Sequence, residues 1–327
     1  MRKVTAGFAV LTLVPAVLVS ALPATAAPAA ACAELPPLPP LVAGEEAGVV
    51  AADPYGRYQV GYSNRQDGGS AVVLWRDGAP LKLTEYSSSE TGYYAHDVNA
   101  RAEVVGNHQE RAWRVRDGRL TTLANPAGYE ASYANANNTA GQVVGFAAVF
   151  GEGHRDRAIA WSANGTVRVL PQPAGFINSF ATDIDGDGTI VGSAKKYNEE
   201  GDPVAVATVV WPATGGYKVL PATDGEVVAI RNGVAVGSDT RADGVPQPVR
   251  WDLRTGRKTV LPYEYSRALD VNARGDITIR VSPPDGDSGT LFLAAGQPAR
   301  AAGNFLSRGL SDTRKVYHQD RTVQDCN

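Results

Sequence analysis

Alternating carboxylates on a glycine turn are the most explicit chemical signal in the sequence. Asp183-Ile184-Asp185-Gly186-Asp187-Gly188 spaces three acids so that they can wrap a hard cation such as calcium. Val191 and Ala194 stand where the ninth and twelfth loop positions would supply ligands, so a plain turn competes with a calcium site built on Asp183, Asp185 and Asp187. The matching segments elsewhere carry Asn and Ala, which argues against a ring of metals, and no other cofactor is expected. Screens for nucleophile and zinc chemistry are empty: there is no G-x-S-x-G, no H-E-x-x-H and no paired-cysteine motif. His96, His108, His154 and His318 are scattered, and His154 with Arg155 in the longest polar loop is the pair an acid–base or binding role would use. The acidic pairs Glu199/Glu200 and Asp285/Asp287 can serve a glycosidase or lyase only if folding sets two carboxyl groups at a working separation.

The second set of candidates is aromatic. Tyr93 and Tyr94, Tyr129 and Tyr133, Phe176 and Phe180, and Tyr263 and Tyr265 recur in successive segments of the chain. Rings with a polar tip stack on sugar or peptide surfaces while tolerating water, yet the same regular spacing suits packing between repeats. Tyr93, Tyr129, Phe176, Tyr263 and Tyr265, with His154 and Arg155, form the expected ligand-contacting set.

Such residues need a scaffold, and the repeat that carries them defines one. A short strand ends in an Asp/Asn-Gly turn; a strand ending Val-Gly follows, then a loop, a strand carrying Trp and a strand ending Leu-Pro. The Val-Gly glycines are Gly61, Gly106, Gly145, Gly192 and Gly237, with Ile279 in the sixth copy, at steps of 45, 39, 47, 45 and 42. Trp75, Trp113, Trp161, Trp211 and Trp251 each precede a glycine turn in the third strand and are expected at equivalent buried positions. Alternating apolar residues bounded by Gly, Asn and Asp mean antiparallel strands. Four short strands repeated at this period predict an all-β fold, a β-propeller. The C-terminal segment from Leu310 reads as three strands of another blade and the segment from Glu34 as a lone fourth strand, so seven four-stranded blades closed by both chain ends are expected, with six blades and loose tails as the alternative. Antiparallel counting puts the loops between second and third strands on the same face as the blade-to-blade connections, and that face is expected to bind.

The compartment is read from the ends of the chain. Residues 1–26 place Arg2 and Lys3 before an apolar stretch and end in small residues, the pattern of a signal peptide, followed by an Ala/Pro-rich leader at 27–31. The remainder, 32–327, reads as a single propeller domain. The chain has two cysteines, Cys32 and Cys326, and a terminus-to-terminus disulfide is the economical reading in an exported protein. No later stretch has the apolar length to cross a bilayer, so no membrane insertion is expected. The formal charge of −3, without any run of Lys or Arg, makes nucleic acid a poor partner.

The repeats resemble the HAF family of bacterial extracellular repeats, whose units approximate Asp-Ile-Asn-Asn-x-Gly-x-Val-Val-Gly followed by Ala-Phe-Leu-Trp. Asn135 to Gly145 and Thr182 to Gly192 follow the first part best, and Ala158 to Trp161 and Val72 to Trp75 the second; the match spans about residues 48–306. Ala102 replaces the turn glycine, Leu293 replaces a Trp, and the Ala-Phe pair is mostly absent. The resemblance implies an exported propeller and carries no common activity. The expected function is a secreted, monomeric, non-catalytic binding or scaffold protein that presents its loop face to an extracellular glycan, peptide or protein. The alternative is a secreted hydrolase or lyase acting on polysaccharide.

Overall fold

The computed structural model describes residues 30–86, 92–151, 155–198, 202–221 and 225–327. Seven antiparallel sheets of four strands each form a closed ring, a seven-bladed β-propeller. Blades one to six occupy 46–86, 93–122, 131–169, 178–219, 226–260 and 266–301 in order. Blade seven joins Ser307–Leu310, Lys315–His318 and Val323–Asp325 to Ala33–Leu35, which lies outermost beside Val323–Asp325. The expected export segment lies outside the described residues. No helix among the described residues is long and apolar enough to cross a membrane.

Each sheet is apolar on both faces because each blade is sandwiched between two others, and the core is a chain of interblade clusters. The Val-Gly glycines are explained by the inner strands. A Cβ on Gly61, Gly145 or Gly192 would lie 1.8–1.9 Å from a carbonyl oxygen of the neighbouring inner strand, belonging to Gly48, Tyr133 and Phe180 respectively. Only glycine admits so close an approach of two backbones. Ile279 and His318 occupy the matching places in blades six and seven, so the tight approach is confined to the first five blades.

All five tryptophans are buried, at 0–1% exposure. Four are equivalent: Trp75, Trp161, Trp211 and Trp251 stand opposite Gln59, Val143, Ile190 and Ala235. Three of their indoles donate to Ala124 O, Pro171 O and Pro221 O in the preceding blade's outer segment, and Trp75 donates to Pro39 O in the segment after the N-terminal strand. Trp113 departs from the expected equivalence. It sits opposite Gly106, and Val115 takes the usual place opposite Val104. The connection before this strand is a tight turn closed by the His108–Arg111 pair, and the indole fills the space left by Gly106, whose Cβ would lie 2.6 Å from Trp113 Cζ2.

The ring is closed covalently as well as by pairing. Cys32 and Cys326 form a disulfide with Cα atoms 4.5 Å apart across 294 residues of chain. Arg300 of blade six donates to main-chain oxygens of Ala30, Ala31, Cys326 and Asn327, clamping both termini. Tyr317 Oη donates to Gly56 O and joins blade seven to blade one.

Candidate functional site

Every inner strand carries a β-bulge at the same height, where the register skips one residue. A bulge leaves one residue unpaired and re-aims its side chain. The seven re-aimed residues are Val50, His96, Asn135, Thr182, Val228, Leu269 and Arg308, one per blade, and all line the central channel. Blades two to four contribute the polar His96, Asn135 and Thr182, whereas blades five, six and one contribute Val228, Leu269 and Val50, with Arg308 of blade seven between the last two. Burial holds the His96 imidazole below its ordinary pKa, and Asn107 Nδ2 lies 3.1 Å from its Nε2.

One residue further along each inner strand, acids alternate with small residues. Asp97, Asp183 and Asp270 stand in blades two, four and six, whereas Ala51, Ala136 and Ala229 stand in blades one, three and five. Each carboxylate accepts from the following residue's amide and from the next blade: Asp97 from Val98 and Asn137, Asp183 from Ile184 and Ile230, Asp270 from Val271 and Leu310. They staple blade to blade. Desolvation deep in the channel raises their pKa values, to about 8 for Asp97, about 7 for Asp183 and about 6 for Asp270, against the opposing pull of these amides.

The turns below this level follow a shared rule that one blade breaks. Asp53, Asn99, Asn138, Asp185, Asn272 and Ser311 open a turn whose fourth residue has positive φ: Gly56, Ala102, Gly141, Gly188, Gly275 and Arg314. Several reach across blades: Asn99 Nδ2 donates to Asn138 O, Asn138 Nδ2 to Asp185 O, and Asn272 Nδ2 to Ser311 O. Blade five has only Asn232-Gly233 between its first two strands, and Arg231 occupies the turn-opening position. Asp185 meets this shortened turn by accepting from Asn232 N and Gly233 N. The Arg231 guanidinium forms no ion pair or side-chain hydrogen bond among the described residues and lines both the channel and a cleft at its turn-face mouth.

At the opposite, loop-face mouth the inner-strand residues two places before the bulge include Tyr94, Tyr133, Phe180, Glu226 and Arg267. Tyr94 is 58% exposed. Tyr133 stacks on Phe146 with centroids 4.7 Å apart, and Phe146 meets Phe180 edge-on at 5.1 Å. Lys195 Nζ lies 5.9 Å from the Phe180 ring and pairs with Glu226 at 2.7 Å. Burial, with Glu110 and Asp156 nearby, pushes the Tyr133 phenol above its ordinary pKa. Half-buried aromatics beside charged groups make a surface on which a flat, hydroxyl-bearing ligand can stack.

The expected ligand set is divided by the structure. Tyr93, Tyr129, Phe176 and Tyr263 pack against interblade clusters, and the Tyr93 ring lies 3.9 Å from that of His108. Their sequence neighbours Tyr94, Tyr133 and Phe180 hold the mouth. Tyr265 is exposed at positive φ, and Arg155 is exposed at the start of its strand. His154, Glu199 and Glu200 lie outside the described residues. Asp183, Asp185 and Asp187 do not converge: the first lines the channel, the second is bound by amides of blades four and five, and the third accepts from Thr189 N at the surface. Among the described residues no group of three or more His, Cys, Asp or Glu is placed to hold a metal ion. The channel acids were visible in the sequence as the Asp of HDVN, TDID and LDVN, but the bulge that aims this segment leaves no compositional trace.

Comparison with known proteins supports the architecture. No family model matches the chain, and no curated protein matches its sequence. Among solved structures, the β-propeller domain of the trilobed protease from Pyrococcus furiosus superposes with a TM-score of 0.59 at 9% identity, covering 86% of this chain and 96% of that one. A chain of the mitotic checkpoint complex gives 0.54 at 13% identity with 98% of each chain covered. A streptogramin B lyase gives 0.53 at 10% identity, covering 88% and 95%. At these identities the likeness is one of fold.

Proposed function

We propose that the protein is an exported, monomeric, non-catalytic binding propeller that presents its loop face to an extracellular glycan. The observation that carries this reading is the aromatic group Tyr133–Phe146–Phe180 at the channel mouth, half-buried and bordered by the Lys195–Glu226 pair. A pyranose has an apolar C–H face and a hydroxyl rim, which complement a ring platform beside charged groups. Export is supported by the N-terminal sequence pattern, by the HAF-like repeats and by the Cys32–Cys326 disulfide, a bond that persists in oxidising compartments.

Glycan-array binding of the purified protein tests the proposal. Tyr133→Ala and Phe180→Ala are expected to lose binding at least tenfold with an unchanged melting profile. Tyr129→Ala, at a ring packed in the core, is expected to lower the melting temperature. An array without hits, or retention of binding by both mouth variants, refutes the reading.

A polysaccharide hydrolase or lyase is the second reading, and the three channel carboxylates with raised pKa values favour it. Both oxygens of each acid already accept main-chain amides, which suits a staple better than a proton carrier. Turnover lost on Asp183→Asn with unchanged melting would establish the enzyme.

A further inference from the structure

We infer that the turn-face half of the channel binds a primary alkylammonium group, which enters past Arg231 and is held among Asp97, Asp183 and Asp270. This site is at the other end of the channel from the aromatic mouth and stands independently of the glycan proposal.

The three carboxylates, Arg231 and the bulge ring line one cavity of about 210 Å³, room for several waters or the end of a slender aliphatic chain. Three acids face it, and Arg231 is the cation whose field reaches all of them. Asn137 lines the same cavity, is only 6% exposed, and its Oδ1 accepts no hydrogen bond. At pH 8 and above, where the ionised acids outweigh Arg231 and Arg308 in the same lining, the cavity combines surplus negative charge with a spare buried acceptor, which calls for a guest that is cationic and donates hydrogen bonds.

The arrangement also selects among cations. The acids come from alternate blades and form no common ligand cluster, whereas calcium requires its oxygens at about 2.3–2.6 Å. An ammonium on an aliphatic stem needs no common sphere, and its stem can trail back toward the turn face past Ala51, Ala136 and Ala229, which share the cavity wall with the acids. The approach is acidic too: Asp187, Asp252 and Asp312 line the cleft outside, with Arg231 and Arg254 as its cations. Blade five abandons the turn rule of the other blades at Arg231, and departures from a local rule of this kind gather at functional sites.

Binding is coupled to protons. Asp97, Asp183, Asp270, Asp312, His96, Arg231 and Arg308 are the charged and titratable groups that face or flank the cavity, and protonation of the acids competes with the guest.

Calorimetric titration of the mature protein with 1,4-diaminobutane and, separately, with Nα-acetyl-lysine methylamide tests the inference. Diamine binding at pH 8 is expected to weaken at least tenfold at pH 5. Arg231→Gln, which removes a competing charge with no hydrogen-bonded partner, is expected to tighten binding severalfold, and Asp183→Asn to weaken it. Preference for the diamine assigns the site to a free polyamine, and preference for the lysine derivative assigns it to a partner's side chain. Absence of binding by either probe at pH 8, weaker binding in Arg231→Gln, or displacement of the probe by equimolar calcium overturns the inference. The Arg231 variant decides the matter even if Asp183→Asn fails to fold.

Discussion

Gly192→Ala is expected to be among the most damaging single-methyl additions in the molecule. The new Cβ would lie 1.9 Å from Phe180 O, 2.9 Å from Ala181 Cα and 3.0 Å from the Phe180 carbonyl carbon. An ordinary carbon–oxygen contact is about 3.3 Å, so the inner strand of blade four must retreat by about 1.4 Å. The atoms in the way are backbone, so no rotamer change relieves the clash, and the retreat weakens ladder hydrogen bonds beside the bulge. Overpacking typically costs 1–3 kcal/mol, and a main-chain collision belongs at the top of that range, about 3 kcal/mol. Gly186 supplies the control, because its Cβ would meet nothing within 4 Å and its φ is not in the left-handed region. Urea unfolding followed by tryptophan fluorescence reads both variants: Gly192→Ala should move the midpoint strongly and Gly186→Ala by no more than about 0.5 kcal/mol. Phe180 is on the displaced segment, so the same variant should also weaken ligand binding at the loop-face mouth. Equal effects at the two glycines, or a Gly192→Ala change below about 0.5 kcal/mol, would refute the account of the Val-Gly repeat.

Cys32→Ser removes a cross-link spanning 294 residues, which the loop-entropy model values at up to about 5–6 kcal/mol; the melting temperature should fall while the circular dichroism of the folded state is unchanged. Trp211→Phe should cost about 1 kcal/mol more than Trp113→Phe in denaturant titrations, because the Trp211 indole donates to Pro171 O whereas Trp113 Nε1 has no partner among the described residues. Ala102 holds φ of 61° where four of the other five turns of its kind use glycine, so Ala102→Gly should raise stability by up to about 1 kcal/mol in the same titrations. The acids Asp97, Asp183 and Asp270 hold protons in the folded state well above the carboxylate value of 3.8, so their contribution to stability is full at low pH and is lost as pH rises through about 6 to 8. His96 and His318, held below 6.5 by burial, act in the opposite direction below pH 6.5; the melting temperature should therefore fall between pH 6.5 and 8.5, and Asp97→Asn should flatten that slope.

The fold was legible because its determinants are periodic. Gly61, Gly145 and Gly192 recur for a steric reason, Trp161 and Trp211 for packing and the same kind of hydrogen bond, and Cys32 and Cys326 flank the ends of two strands that only ring closure brings together. Periodicity fails where the chain makes exceptions. Trp113 looks like the other tryptophans in sequence, yet a tight turn at His108–Arg111 moves it to the place opposite Gly106. The candidate sites were less legible still, because a bulge changes which way a residue points without changing which residue it is. Alternation assigns Tyr93 and Tyr94 to opposite sides, but the side that meets a neighbouring blade depends on where the bulge falls, so the packed and presented members of each aromatic pair could not be told apart. Asp97, Asp183 and Asp270 read as turn residues for the same reason. Arg231 was different in kind: the chain has an arginine where the other turns open with Asp, Asn or Ser, and a shortened turn after it, a departure that reading the segment as one more copy of the repeat passes over. Six turns spend that side chain on hydrogen bonds, four of them across to the next blade, whereas blade five leaves its closure to Asp185 and frees a guanidinium into the channel. A repeat protein can alter one copy without redesigning the rest, since each blade contacts mainly its two neighbours. In a ring of repeats the residue that breaks the pattern while its neighbour compensates is therefore the strongest sequence-level pointer to a site, stronger here than the Asp183–Asp187 run whose acids the fold sends in different directions.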